Sequence, residues 1–251
     1  MIIRKNNHAL SIMREAGKRL AHVFEEIPAL LKARITTRDL DSFLERALKE
    51  AGLHSECKGY GVPAFPAVSC ISVNDVIVHG IPSSLSLNEG DLVTVDICAS
   101  YNGYCADMAR SYFVGKPVSE KALELVRVAY ESLDAGIDMA RAGKHISDIS
   151  FAVQSVVEKH GFGVIRDFAG HGIGKKMHED PEILNYGKPG KGPLIEAGMA
   201  FAIEPMITQG DYTVRMDADK WTARTADGSL AAHVEDTVIV TDHGPEITTR
   251  L

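Results

Sequence analysis

The sequence predicts an α+β fold in which a mostly antiparallel sheet is covered by helices. Three observations carry that expectation. Amphipathic helical stretches come in pairs, strand-like runs broken by Gly, Pro, Asn and Asp follow each pair, and the helical pattern recurs at an offset of 109 residues.

In chain order, LSIMREAGKRLAHVFEEI is the first helical stretch, with Ala16, Leu20 and Phe24 on its apolar stripe. ITTRDLDSFLERALKEAG is the second. Thr37 is placed as its N-cap, Leu40, Phe43, Leu44, Ala47 and Leu48 recur at helical spacing, and Gly52 is its stop. Strand candidates follow at AVSCISVNDVIVHGI, 91–101 and 104–114.

The second half repeats this. SEKALELVRVAYESLDAG lays Leu125, Ala129 and Leu133 on Ala16, Leu20 and Phe24, and HISDISFAVQSVVEKHGFG carries Ile149, Ala152, Val153, Val156 and Val157 with Gly161 as its stop. Strand candidates at 199–208 and 231–241 complete it. We read a duplicated helix-helix-strand-strand unit; a chance match of amphipathic helices is the alternative. Residues 209–230, which hold the only tryptophan, Trp221, read as a long loop.

With 251 residues, 45% of them hydrophobic, the chain suits one domain spanning 1–251. No run of eighteen apolar residues is present, and the start lacks a secretory signal, so no membrane role and a cytoplasmic location are expected. A formal net charge of −7 without a basic stripe argues against nucleic acid as a partner. Cys57, Cys70, Cys98 and Cys105 show no C-x-x-C pairing and read as free thiols.

The chemistry is concentrated in VTVDICASYNGYCADMARSYFVG. Asn102-Gly103 between two strand-like runs is a strong type I′ hairpin signal, which pairs Tyr101 with Tyr104 and sets Cys98 opposite Asp107. Asp96 and Asp107 then become diagonal neighbours on one face, about 7 Å apart, while Val93, Val95, Ile97 and Ala99 form an apolar opposite face. Two close carboxylates on a covered sheet require protonation or a cation. Two ordinary aspartates on a solvated sheet face are the bland alternative.

Glu204 in FAIEPMI and Glu235 in AAHVEDTVIVT are further acids in apolar strand contexts, and His171 lies between glycines in AGHGIGKKMHEDP. Those glycines would let the backbone approach a ligand closely. Four carboxylates and one imidazole suit two divalent first-row ions, Mn²⁺, Fe²⁺, Co²⁺ or Zn²⁺, better than a tetrahedral structural zinc.

Taken together, VNDVIVHGIP, the two aspartates, GHGIGKKMHEDP, FAIEP and HVEDTVIVT resemble, in that order and spacing over nearly the whole chain, the type I methionine aminopeptidases of the pita-bread fold. The resemblance implies that Asp96, Asp107, His171, Glu204 and Glu235 hold two metal ions, with Asp107 and Glu235 bridging. It implies that Glu204 acts as general base, that His178 stabilises the oxyanion, and that His79 contacts the scissile amide nitrogen. The implied substrate is the N-terminal methionine of nascent polypeptides or peptides with a small second residue. Tyr60, Phe65, Cys70, Met177 and Trp221 are candidates for the methionine pocket.

Four details depart from the family pattern: Phe65 where a tyrosine is expected, Met177 where an aromatic is common, and Met108 and Ala109 where small hydroxylated residues usually follow the second aspartate. They leave strict methionine specificity more open than metallopeptidase activity. A monomer is expected, because a lone pita-bread unit needs no partner to close its core. Contact with the ribosome has no signature in these residues. The competing readings are an X-Pro aminopeptidase or prolidase-like peptidase of the same fold, a dinuclear phosphoesterase, and a non-catalytic binding protein on this scaffold. The proline-directed enzymes usually carry an extra N-terminal domain, for which the early first helix leaves no room, and the chain has no D-x-H pair of the kind phosphoesterases use.

Overall fold

The computed structural model describes residues 2–251. The first half contains α1 (Asn7–Glu25), α2 (Ile27–Leu30), α3 (Thr37–Glu50), β1 (His54–Ser55), β2 (Cys70–Val73), β3 (Val76–Val78), β4 (Leu92–Tyr101) and β5 (Tyr104–Phe113). The second half contains α4 (Glu120–Met139), α5 (Ile146–Lys159), β6 (Gly163–Val164), β7 (Ala169–Gly172), β8 (Glu179–Leu184), β9 (Ala200–Ile203) and β10 (Met206–Thr208). It continues with β11 (Val214–Met216), β12 (Ala223–Thr225), β13 (Ala231–His233), β14 (Asp236–Thr241) and β15 (Gly244–Ile247).

The duplication is visible in the element boundaries. Helices α3 and α5 start and end 109 residues apart (37 to 146, 50 to 159), and β1 and β6 keep the same offset. In each helix the acid three residues past the N-cap accepts from the N-cap amide, Asp39 from Thr36 and Asp148 from His145, and a glycine at positive φ follows the helix, +70° at Gly52 and +74° at Gly161. One residue is lost between helices and strands, since the bridge Thr36–Ser86 recurs as His145–Leu194. Asp96 and Glu204 fall one residue short of the helical offset for that reason.

Helix α3 is capped by Thr36, which corrects the placement at Thr37. Thr36 Oγ1 accepts from the Asp39 amide at 3.1 Å and the Asp39 carboxylate accepts from the Thr36 amide at 3.1 Å. Only the first of the two threonines stands three residues before an acid, as a reciprocal cap requires. Thr37 instead accepts a bond from the Ser83 amide at 2.8 Å.

The β4–β5 hairpin turns at Asn102 (φ 47°) and Gly103 (φ 78°), pairing Tyr101 with Tyr104 and Cys98 with Asp107, as the sequence requires. Val93, Val95, Ile97 and Ala99 pack with residues of α1 and α3 in one core. A second core joins α4 and α5 to Phe201, Ile203, Ile207 and Val238. The face bearing Asp96 and Asp107 points the other way, so it belongs to neither helical core.

The segments 199–208 and 231–241 each break at their glutamate, β9 from β10 at Glu204-Pro205 and β13 from β14 at Val234-Glu235. Proline lacks the amide that would continue a ladder. Residues 209–230 are not a plain loop: β11 and β12 pair antiparallel, and β12 extends onto β3. Polar contacts rather than an apolar stripe hold this hairpin, with Arg224 donating to Asp217 at 2.7 Å and to Asp75 at 2.8 Å, so its alternation was hidden from hydrophobic periodicity.

The halves meet where β5 crosses the β13–β14 break. The Glu235 amide donates to the Ala109 carbonyl at 3.0 Å and the Ala109 amide donates to the Glu235 carbonyl at 3.3 Å. On either side a hydroxyl replaces the next backbone pair. Thr237 Oγ1 accepts from the Asp107 amide at 2.8 Å and donates to the Asp107 carbonyl at 2.9 Å. Ser111 Oγ does the same for His233, accepting at 3.3 Å and donating at 2.9 Å. Ala109 faces Glu235 while Asp107 and His233 occupy equivalent places, which is the pattern of a local pseudo-dyad. Thr237→Val keeps the shape but leaves a buried amide and carbonyl unpaired, and equilibrium denaturation should show a loss of about 2–4 kcal/mol.

Candidate metal centre

Asp96 (β4), Asp107 (β5), His171 (β7), Glu204 and Glu235 converge on one cavity of about 250 Å³. The cavity is also lined by His79, His178, Tyr60, Phe65, Cys70, Met177 and Trp221, so all twelve residues singled out in the sequence are brought together. Cys57, Val78, Cys98, Phe168, Ala169, Met206 and His233 complete the lining and were not foreseen as site residues. For His233 the signal was present, since it stands two residues before Glu235 on the same side of an alternating segment.

Local structure explains each position. The break at Glu204-Pro205 frees Glu204 from the ladder. His79 follows β3 at φ +58°, a conformation uncommon outside glycine, which turns its ring toward Phe168 and Trp221 at centroid distances of 5.5 and 5.9 Å. Strand packing requires the glycines around His171: a Cβ at Gly172 would stand 2.1 Å from the Asp180 carbonyl oxygen, and one at Gly170 2.5 Å from that of Ala202. His171 Nδ1 lies 3.0 Å from the Gly172 carbonyl, which makes Nδ1 the donor and leaves Nε2 facing the acids.

His171 Nε2 is 3.5 Å from Glu204 Oε1 and 3.8 Å from Asp107 Oδ2. These separations exceed a hydrogen bond. They match the edge of a coordination shell, since two ligands about 2.1 Å from an ion at a tetrahedral angle lie about 3.4 Å apart. Ligand atoms of Asp107, His171 and Glu235 all lie within 4.8 Å of one another, as do those of Glu204, His233 and Glu235.

The electrostatics call for a cation. Burial, then repulsion from Asp107, raises Asp96, Glu204 and Glu235 well above the carboxylate range, and burial pushes Asp107 up to about 7. Burial also lowers His171 to about 3 and His79 to about 4. Glu235 Oε1 and both His233 ring nitrogens are buried without a hydrogen-bond partner. Orphaned buried groups and crowded acids are what a bound divalent ion would satisfy, and the oxygen-rich donor set fits a first-row ion.

Beside the acids lies an apolar pocket. Phe65 and Trp221 meet edge to face at 5.3 Å, Trp221 Nε1 donates to the Pro63 carbonyl at 2.9 Å, and Cys57, Cys70 and Met177 share the same cluster. Sulfur and aromatic surfaces suit a thioether side chain. Tyr60 sits at the exposed rim, its hydroxyl 2.6 Å from His178 Nδ1, and the His178 ring packs on His171 at 4.4 Å. Neighbouring Glu179 is tied to the buried Lys5 at 3.1 Å, which anchors the loop carrying His178.

Residues 11–242 match the model of metallopeptidase family M24. A methionine aminopeptidase of Clostridium acetobutylicum is 46% identical over 250 residues, covering 99% of each chain. Methionine aminopeptidase 1 of Bacillus subtilis is 44% identical and covers both chains fully. The crystal structure of methionine aminopeptidase from Thermotoga maritima superposes with a TM-score of 0.97 at 40% identity over the whole of both chains. The chain therefore belongs to metallopeptidase family M24, with its pita-bread fold, and within that family it stands with the methionine aminopeptidases.

The acid cluster fixes the sign of a pH effect on the metal-free protein. Asp107, raised to about 7, contributes stability that is full below its unfolded value of about 4 and lost as pH rises through 7; Asp96, Glu204 and Glu235 shift the same way. The lowered histidines slope oppositely, but only up to their unfolded value of 6.5. Thermal unfolding of metal-stripped protein should therefore show falling stability between about pH 6.5 and 8, and added Mn²⁺ should abolish the fall.

Proposed function

We propose that this chain is a metal-dependent aminopeptidase that removes N-terminal methionine when the second residue is small. The observation that carries the reading is four carboxylates, Asp107 and Glu235 buried and Asp96 and Glu204 part-buried, and an imidazole around one cavity, next to a pocket of thiols, methionine and aromatics. Asp96, Asp107, His171, Glu204 and Glu235 would hold two divalent ions. When bound, the ions supply a water acidic enough to attack a carbonyl at neutral pH.

The chain's own groups do the rest. Glu204 takes the proton of the attacking water and returns it to the leaving amine. Partial desolvation favours the neutral form of His178, and with the Tyr60 hydroxyl donating to Nδ1 its Nε2–H is left to donate to the developing oxyanion. His79, also neutral, contacts the scissile amide nitrogen. The free α-amine is read at the Asp96 end of the cavity, and the methionine side chain enters between Phe65, Cys70, Met177 and Trp221.

Four buried free thiols suit a reducing compartment, and among the described residues no helix is long and apolar enough to cross a membrane.

Metal-stripped protein resupplied with Mn²⁺, Fe²⁺, Co²⁺ or Zn²⁺ should release methionine from Met-Ala-Ser, and not from Met-Lys-Ser or acetyl-Met-Ala-Ser. Preferential cleavage of Ala-Pro-Ser would assign the proline-directed activity instead. Asp107→Ala and Glu235→Ala should lose metal and turnover together. His79→Ala should keep its metal, measured by elemental analysis, while kcat falls about 100-fold.

A further inference from the structure

We infer that His233 is a metal ligand, giving the centre a second imidazole beside His171. The inference rests on the metal reading above and extends it to a residue outside the five expected ligands.

His233 is 1% exposed and neither ring nitrogen has a hydrogen-bond partner. A buried imidazole lacking both partners is rare unless an ion takes the lone pair. Its Nε2 stands 3.5 Å from Glu204 Oε2 and 3.8 Å from Glu235 Oε2. His171 Nε2 keeps the same two separations, 3.5 and 3.8 Å, from Glu204 Oε1 and Asp107 Oδ2. Glu204 thus turns one oxygen toward each ring, at spacings too long for hydrogen bonds and suited to ligands sharing an ion.

The fold gives an independent reason. Cys98 faces Asp107 across the first hairpin, and Met206 faces His233 in the matching place of the second half. Ser111 clamps both backbone groups of His233 as Thr237 clamps those of Asp107. The duplicated scaffold therefore presents His233 to the cavity as it presents Asp107. A set of four carboxylates and two imidazoles shifts preference from Mn²⁺ toward the nitrogen-accepting ions Fe²⁺, Co²⁺ and Zn²⁺.

Proton NMR of the Co²⁺-loaded protein counts imidazole ligands directly, because each ligating ring has an N–H shifted far outside the diamagnetic range. Two such exchangeable resonances are expected in the unaltered protein and one in His233→Gln. Calorimetric titration of the variant with Co²⁺ should show affinity reduced by at least about 10-fold. A single resonance in the unaltered protein, or two that both persist in the variant, overturns the assignment while leaving the five-residue centre intact. No shifted resonance together with no heat of Co²⁺ binding overturns both. A count of one in the unaltered protein overturns the assignment even if the variant fails to fold.

Discussion

Four carboxylates crowded around one cavity are the constraint on which the rest of this structure depends. Their mutual repulsion and loss of hydration would drive a metal-free site apart unless they were protonated or the scaffold were rigid. The scaffold is rigid there because each acid sits on or beside a paired strand whose opposite face is welded to a helical core. A divalent ion converts the same repulsion into attraction. The site therefore couples metal affinity to pH, since loading must displace protons from groups raised toward neutrality.

Duplication supplies the geometry. Each half contributes two long helices and a strand pair, and at the site the halves join where β5 meets the β13–β14 break. Hydroxyls at Ser111 and Thr237 repair the ladder there, and this holds Asp107 and His233 in register without needing a straight strand. Behind them, Arg110 bonds the buried Asp236 at 2.6 Å and Arg250 bonds it at 2.7 Å, so the residue following Glu235 is fixed from the far side. The family's usual small hydroxylated residues after the second aspartate are absent. Met108 packs into the first core, and hydroxyls from positions 111 and 237 bear on this region instead.

Much of this was legible in the sequence because strong local rules applied. Asn102-Gly103 set the β4–β5 register, and the register set Asp96 and Asp107 on one face. Acids at 204 and 235 stood out against apolar runs. The helices α3 and α5 were recognisable from their stripes and glycine stops. What escaped had weak local signals: two-residue strands such as β1 and β6, the β11–β12 hairpin held by arginine and aspartate, and the choice between Thr36 and Thr37. The roles of His79 and His178 were reachable only through family resemblance, since nothing local marks a histidine at positive φ or one ordered by a tyrosine 118 residues away. His233 was overlooked although its spacing from Glu235 placed it on the site face.

The central claim is that the acids exist to hold two ions in a fixed place. Anomalous diffraction at the manganese edge, from crystals of the protein grown with Mn²⁺, tests it most directly. Two peaks lying between the Asp107 and Glu235 carboxylates, one nearer Asp96 and one nearer His171 and Glu204, are the predicted result. Peaks confined to surface carboxylates, with the five inner residues in their present positions and no density among them, would contradict the account.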